Sequence, residues 1–279
     1  MQRTCDLHTH SVFSDGTFTP AELVDAAIDC GLSAHALTDH NTIDGLYDYL
    51  KAGEGKPLEL VPGIEFTTDH EGTELHILGL FLKPDMFSQI KEYVNIASIR
   101  KEESNYKLVK RLKERGYDIN YIEILESSKG HINRANIAAV LVKKGYLSSI
   151  SEGFNTILSK EYGLYEPPER LSSLETISFI RSIGAVAVWA HPYIHMNFEQ
   201  ANEFLPRAKD AGLQGMETMY TMYDDATTAK AREVCAHFGL CESGGSDFHG
   251  ANKPYISLGV GENNLCIPYA FYEKLKALS

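Results

Sequence analysis

Nine side chains able to hold a divalent cation stand at the ends of short apolar runs in this sequence: His8, His10, Asp15, His40, Glu65, His76, His191, Asp247 and His249. They fall in Asp6-Leu7-His8-Thr9-His10-Ser11 (with Asp15 close behind), Thr38-Asp39-His40, Gly63-Ile64-Glu65, Leu75-His76-Ile77-Leu78-Gly79, Ala190-His191-Pro192 and Gly245-Ser246-Asp247-Phe248-His249-Gly250. His8 and His10 are two residues apart, as are Asp247 and His249. On a strand that spacing turns both side chains to one face. Imidazoles and carboxylates without sulfur suit borderline divalent ions such as Mn, Fe or Zn, and single out none of them. A lone His-x-His pair would be weak evidence, but the further ligand-bearing segments make coincidence a poor explanation. The chemistry they suggest is that of one convergent metal cluster.

Such segments meet at a point only if their strands form a barrel or parallel sheet with the site at its C-terminal edge. Strand patterns cover Thr4–Thr9, Ser33–Thr38, Leu58–Thr67, Glu74–Phe81, Ala185–Trp189, Gly215–Met219 and Leu240–Ser243. Helical patterns alternate with them at Pro20–Cys30, Ile43–Ala52, Ser173–Ile183, Glu199–Ala211 and Ala226–Phe238. Thr19 is the expected N-cap of the first helix, with Pro20 at its first position. A long amphipathic stretch from Asp85 to Arg115 ends at Gly116, a suitable C-cap. Between 101 and 166 the rhythm changes to helix-like runs, Ala135–Lys144 and Ser151–Lys160, without ligand triplets, and Pro167-Pro168 closes it. The expected organisation is an α/β barrel over 1–100 and 167–279 carrying an inserted small helical domain, 101–166.

With 279 residues and 43% apolar content, the chain can bury a large core. No segment approaches the roughly 18 apolar residues that span a bilayer. The sequence passes straight from Met1 into a ligand-bearing strand, so no leader is expected. Cys5, Cys30, Cys235, Cys241 and Cys266 form no C-x-x-C pair and suit free thiols in a reducing cytoplasm. A net charge of −12 speaks against an extended nucleic-acid surface, though not against a small phosphorylated substrate, because bound cations supply a local positive field. Oligomeric state is not legible.

The six segments, in this order, resemble the PHP family (polymerase and histidinol phosphatase), most of all its stand-alone phosphoesterases with a helical insert. The resemblance covers nearly the whole chain and implies a distorted (β/α)7 barrel with two to three metal ions. It assigns His8, His10, Glu65 and Asp247 to one ion, Asp15, His40 and His249 to a second, and Glu65, His76 and His191 to a third, with Glu65 bridging. Many relatives have histidine where Asp15 stands, which leaves a binuclear site open. Three divalent ions against three carboxylates leave a cluster of about +3, suited to a phosphate dianion and its transition state. The implied reaction is attack on phosphorus by hydroxide generated on the ions, with Asp15, His40, Glu65 and His249 nearest the chemistry. The first substrate expected is a nucleoside 3',5'-bisphosphate, giving the nucleoside 5'-monophosphate. Histidinol phosphate, 5'-3' trimming of short RNA and a non-catalytic PHP module are the alternatives.

Arg134 opens a helical run in His131-Ile132-Asn133-Arg134-Ala135-Asn136, and the resemblance makes it a phosphate contact; a surface arginine at a helix start is the plainer reading. Asn136, where relatives often carry histidine, and Lys253 are further substrate candidates. Asp39 either orients His40 or caps the next helix, and Asp6 either supports His8 or pairs at the strand end. Tyr220 and Tyr223 either stack on a base or sugar or pack at the rim. His35, His70, His131, His195 and His237 are read as non-ligands, with a place at the mouth of the site as the alternative for His195, four residues after His191.

Overall fold

The computed structural model describes residues 3–127, 132–262 and 265–279. The chain runs β1 (Cys5–Asp6), α1 (Pro20–Asp29), β2 (Ala34–Leu37), α2 (Leu46–Ala52), β3 (Glu59–His70), β4 (Thr73–Leu80) and α3 (Phe87–Glu114). Then come α4 (Tyr121–Ser127), α5 (Arg134–Lys143), α6 (Ile150–Asn155), β5 (Leu171–Ser172), α7 (Ser173–Ser182), β6 (Val186–Trp189), α8 (Pro192–His195), α9 (Phe198–Asp210), β7 (Gly215–Tyr220), α10 (Asp225–His237), β8 (Cys241–Gly245) and α11 (Tyr269–Lys276). Thr19 caps α1 in a reciprocal box with Glu22, and Pro20 takes the first helical position, where its missing N–H is not needed. α8, α11 and the two-residue β5 carry patterns too short or too mixed to show in the sequence.

The chain divides into two compact units, Met1–Lys91 with Leu171–Ser279, and Glu92–Arg170. The seam at 91/92 falls inside the continuous helix α3, where no breaker marks it, so the second unit is wider than the 101–166 segment. Its described elements are helical, packed around Leu108, Leu112, Ile124, Ile137, Leu141 and Leu158.

The first unit is the barrel. Seven strands follow the order β1-β2-β3-β4-β6-β7-β8, with β5 pairing β3 off that path. The ring nearly closes between its ends: Leu7 N–H donates to the Gly244 carbonyl at 3.2 Å, and Thr9 bridges Phe248 in parallel. The distortion is β4, which runs antiparallel to both β3 and β6. An all-parallel reading of the ligand strands is therefore corrected at this strand. His76 lies midway along β4, and the reversal sets it beside Thr67 of β3 and the chain leaving β6.

Strand parity explains how core becomes site. Ala34, Ala36, Val61, Leu78, Leu80, Val186 and Val188 share one buried cluster, floored by Tyr269, Phe271, Tyr272 and Leu275. Steps of two along the same strands lead from Val61 through Gly63 to Glu65, and from Leu80 through Leu78 to His76. Apolar rows thus end in ligand candidates at one edge of the barrel.

On the outer face, the buried Tyr49 hydroxyl of α2 donates to the His35 carbonyl at 2.6 Å and lies 2.9 Å from His35 Nδ1. Thr9 Oγ1 donates to the Ala36 carbonyl at 2.7 Å and lies 3.0 Å from His35 Nε2. His35 is thus a structural histidine, as its sequence position suggested, and it anchors the residue between His8 and His10. Replacing Tyr49 with phenylalanine should lower unfolding stability by about 1–3 kcal/mol, the range for a lost buried hydrogen bond. Urea denaturation of parent and variant measures it; equal midpoints would remove this network from the account.

Candidate metal centre

Glu65 has no solvent exposure and stands among five imidazoles. Its Oε2 is 3.1 Å from His8 Nε2, 3.2 Å from His10 Nε2 and 3.1 Å from His40 Nδ1. Its Oε1 is 2.8 Å from His76 Nδ1 and 3.1 Å from His191 Nε2. Asp247 Oδ1 lies 3.1 Å from His10 Nε2, 3.7 Å from His8 Nε2 and 3.5 Å from His249 Nδ1. Asp15, at the more open side, places Oδ1 3.2 Å from His249 Nε2 and Oδ2 3.9 Å from His40 Nε2. All nine candidate ligands therefore meet at one end of the barrel.

The donor set fits divalent ions on an observation independent of motif. His8 Nε2, His10 Nδ1 and Nε2, His40 Nδ1 and Glu65 Oε2 are buried without a hydrogen-bond partner, although they crowd together. Buried polar atoms are normally satisfied, so a cluster of exceptions facing one another calls for a cation. Donor atoms within 4.8 Å of one another fall into four groups: His10, Asp15, His40 and His249; His8, Glu65 and His191; His8, His10 and Asp247; His40, Glu65 and His76. These groups cut across the sets that the resemblance assigned, because His191 falls with His8 and His76 with His40.

Backbone strain concentrates here. Among the described non-glycine residues with positive φ are the ligand candidates His191 (29°) and Asp247 (56°), and Asn41 (50°), which follows His40. Such conformations persist where surrounding structure imposes them, often at functional sites. Asp247 N–H donates to the His8 carbonyl and His10 N–H to the Phe248 carbonyl, both at 2.9 Å, which lashes the two spaced pairs together. Gly245 permits this approach: a Cβ there would come within 2.1 Å of His8 Cβ.

Several supporting residues differ from expectation. Glu217, fully buried on β7, was not marked by any motif. Its Oε1 is 3.1 Å from His8 Nδ1, and its Oε2 accepts the His191 N–H at 2.7 Å, so it aims His8 and seats His191. The available signal was its two-residue step from inward-facing Gly215. Asp39 neither orients His40 nor caps α2. It accepts hydrogen bonds from Ser11 N–H (2.7 Å), Ser11 Oγ and Ser14 Oγ (both 2.6 Å), fixing the loop that carries Asp15. Asp6 pairs at the strand end, accepting from Ser246 N–H and Oγ and from Gly259 N–H. Tyr220 is buried and donates to Asp247 Oδ2 at 2.8 Å, which corrects the stacking option. The Tyr223 hydroxyl accepts the Tyr193 N–H.

Lys253 Nζ also reaches Asp247 Oδ2, at 2.8 Å. Arg134 and Asn136 belong to the second unit. Arg134 begins α5 with its guanidinium over the Tyr165 and Phe154 rings and NH1 on the Leu158 carbonyl. Asn136 closes the capping box with Asn133, which engages its side-chain carbonyl. His70 and His237 lie apart from the donor groups, His195 borders them, and His131 lies outside the described residues.

The electrostatics follow from this crowding. Burial opposes a proton on His10, but the close carboxylates of Asp247 and Glu65 prevail and push its pKa up to about 9. His8 behaves likewise through Glu65 and Glu217. His40 moves the other way, to about 4, because burial outweighs the attraction of Glu65. Burial disfavours charge on Glu65 and Asp247, yet the surrounding imidazoles hold both well below the usual carboxylate range. Ions entering at neutral pH must therefore displace protons from imidazoles.

Two outcomes are expected. Titration of metal-free protein with Mn at pH 7, in calorimetry buffers of different ionisation enthalpy, should show proton release, and affinity should tighten as pH rises toward about 9. Buffer-independent heats would count against proton displacement. Glu217→Gln should weaken Mn affinity by about 10- to 100-fold, the usual effect of losing a partner behind a ligand histidine; unchanged affinity would show that Glu217 does not aim His8.

The PHP domain profile matches residues 6–164, more than half of the chain. A 5'-3' exoribonuclease of Haemophilus influenzae is 32% identical over 89% of this chain and 91% of its own length. A phosphoribosyl 1,2-cyclic phosphate 1,2-diphosphodiesterase of Eggerthella lenta is 28% identical over 91% and 98%. A 3',5'-nucleoside bisphosphate phosphatase of Chromobacterium violaceum is 25% identical over 98% and 96%. A solved structure from Bifidobacterium adolescentis, given as a candidate metal-dependent phosphoesterase, superimposes with a TM-score of 0.69 at 28% identity, covering 99% of this chain and 96% of that one. Profile, relatives and ligand geometry agree, and the chain belongs to the PHP family of metal-dependent phosphoesterases.

Proposed function

We propose that this phosphoesterase cleaves the bond between phosphorus and the 3'-oxygen of a nucleotide that carries a 5'-phosphate. The first substrate is a nucleoside 3',5'-bisphosphate, converted to the nucleoside 5'-monophosphate. The observation that carries the hydrolase reading is Glu65 shared among five buried imidazoles. The nucleotide reading draws support from the bisphosphate phosphatase relative. Trimming of a short RNA from its 5' end is the second reading, favoured by the 32% identity to the exoribonuclease. Both reactions release the same 3'-oxygen, so one site geometry serves both. Histidinol phosphate and a cyclic ribose phosphate are the competing substrates. A non-catalytic role fits poorly with nine converging ligand candidates.

We assign two to three divalent ions, Mn, Fe or Zn, to His8, His10, Asp15, His40, Glu65, His76, His191, Asp247 and His249. When bound, such ions supply a nucleophile from water near neutral pH and positive charge for the phosphate. The protein's own part is orientation. Glu65 spans the cluster with both oxygens, Glu217 aims His8, and Tyr220 with Lys253 neutralises the outer oxygen of Asp247. Asp15 and His40 are 54% and 25% exposed, which marks the side where substrate enters. We further propose Asp15, His40, Glu65 and His249 as the residues nearest the reacting phosphoryl group, and Arg134, Asn136 and Lys253 as substrate contacts. Cys30 and Cys266 are exposed free thiols, in keeping with a cytoplasmic location.

The test is a phosphoester panel on protein loaded separately with Mn, Fe, Zn and Mg. It should include adenosine 3',5'-bisphosphate, a 5'-phosphorylated short RNA, a ribose 1,2-cyclic phosphate and histidinol phosphate. Bisphosphate should yield the 5'-monophosphate and inorganic phosphate, and a chelator should abolish turnover. Turnover of histidinol phosphate with none on nucleotides would reject the assignment.

A further inference from the structure

α8 is a single helical turn placed by ligands at both ends of its approach. The chain leaves β6 at Trp189, and Ala190 N–H donates to the His76 carbonyl at 3.0 Å. It then enters α8 through His191, whose positive φ and following Pro192 set where the turn begins. Ile194 N–H donates to the His191 carbonyl at 3.1 Å and Met196 N–H to that of Pro192 at 3.2 Å. This closure brings the His195 ring beside the cluster, with its centroid 5.5 Å from that of His76 and 5.7 Å from that of His191. His195 is exposed, whereas the side chains of His76 and His191 are largely covered.

Several polar side chains bordering the cluster are engaged within the protein. Ser11 and Ser14 donate to Asp39, Tyr220 and Lys253 to Asp247, and Asn252 to the Asp15 carbonyl. Among the described residues, His195 has ring neighbours but no hydrogen bond or ion pair. An imidazole carries at least one N–H donor in either protonation state. A phosphate held by the cluster would keep outer oxygens to be satisfied, and this exposed ring stands beside it.

We propose that His195 donates a hydrogen bond to a phosphate oxygen of the substrate, on the His76–His191 side of the cluster. The assignment rests on the phosphoesterase reading and adds a specificity contact on a residue read from the sequence as a non-ligand.

Inorganic phosphate is a probe that does not depend on the substrate's identity. Calorimetric titration of Mn-loaded protein with phosphate should weaken by about tenfold or more in His195→Ala, the scale of a hydrogen bond to a charged group. His195→Gln, whose amide keeps a donor, should recover part of that loss. Metal content by mass spectrometry should be equal in all three proteins. With whichever phosphoester the panel identifies, His195→Ala should raise KM more than it lowers kcat. Phosphate affinity within twofold of the parent overturns the proposal. So does loss of metal on substitution, which would make the ring a support for the ions. If no phosphoester is turned over, the proposed function falls while the phosphate titration still decides His195.

Discussion

A carboxylate sealed from water governs this molecule. Removing such an ion from solvent costs several kcal/mol unless opposite charge meets it at close range. Glu65 is met by imidazoles from four separate segments, three on one oxygen and two on the other. Each must come from a different part of the ring, so the barrel has to hold those parts in register. The apolar rows of Val61, Leu78 and Leu80 do that from below, and the same two-residue periodicity that buries them delivers Glu65 and His76. Core and site are one pattern, changing from hydrocarbon to ligand as it approaches the open edge.

Three other buried carboxylates keep the cluster in place without standing at its centre. Asp6 joins the end of β1 to the segment after β8, Asp39 pins the loop that carries Asp15, and Glu217 reaches His8 and His191 together. Each accepts at least two hydrogen bonds, as an anion in a low-dielectric interior must. Tyr220 and Lys253 do for Asp247 what Glu217 does for His8: they occupy the far side of a candidate ligand so that its near side points inward.

Much of this was legible because ligand chemistry is conspicuous in sequence. His-x-His, Asp-x-His and a solitary strand glutamate are expensive to bury without purpose, and all nine candidates converge. The alternation of strand and helix follows from periodicity and the α1 cap from Thr19-Pro20, whereas the closed barrel was implied by the family resemblance. Supporting residues were harder to read, since a buried aspartate looks the same whether it orients a histidine, caps a helix or pins a loop. Asp39 took the third role, which depends on serines 28 and 25 positions earlier in the chain. Glu217 has no motif around it, and the direction of β4 leaves no mark because alternation reads alike both ways. The unit boundary inside α3 was hidden for a similar reason, a helix being continuous whichever core it serves.

The joining of β1 to the segment after β8 links residues 240 positions apart, Asp6 and Ser246. During synthesis the ribosome releases Glu65 long before His191, Asp247 and His249 exist. The nascent first half therefore carries Glu65 with four of its five imidazole neighbours, but without His191 or the segment that holds Asp247 and His249. The full set of candidate donors is therefore assembled only when the segment after β8 joins β1, which makes ring closure and completion of the cluster one structural event.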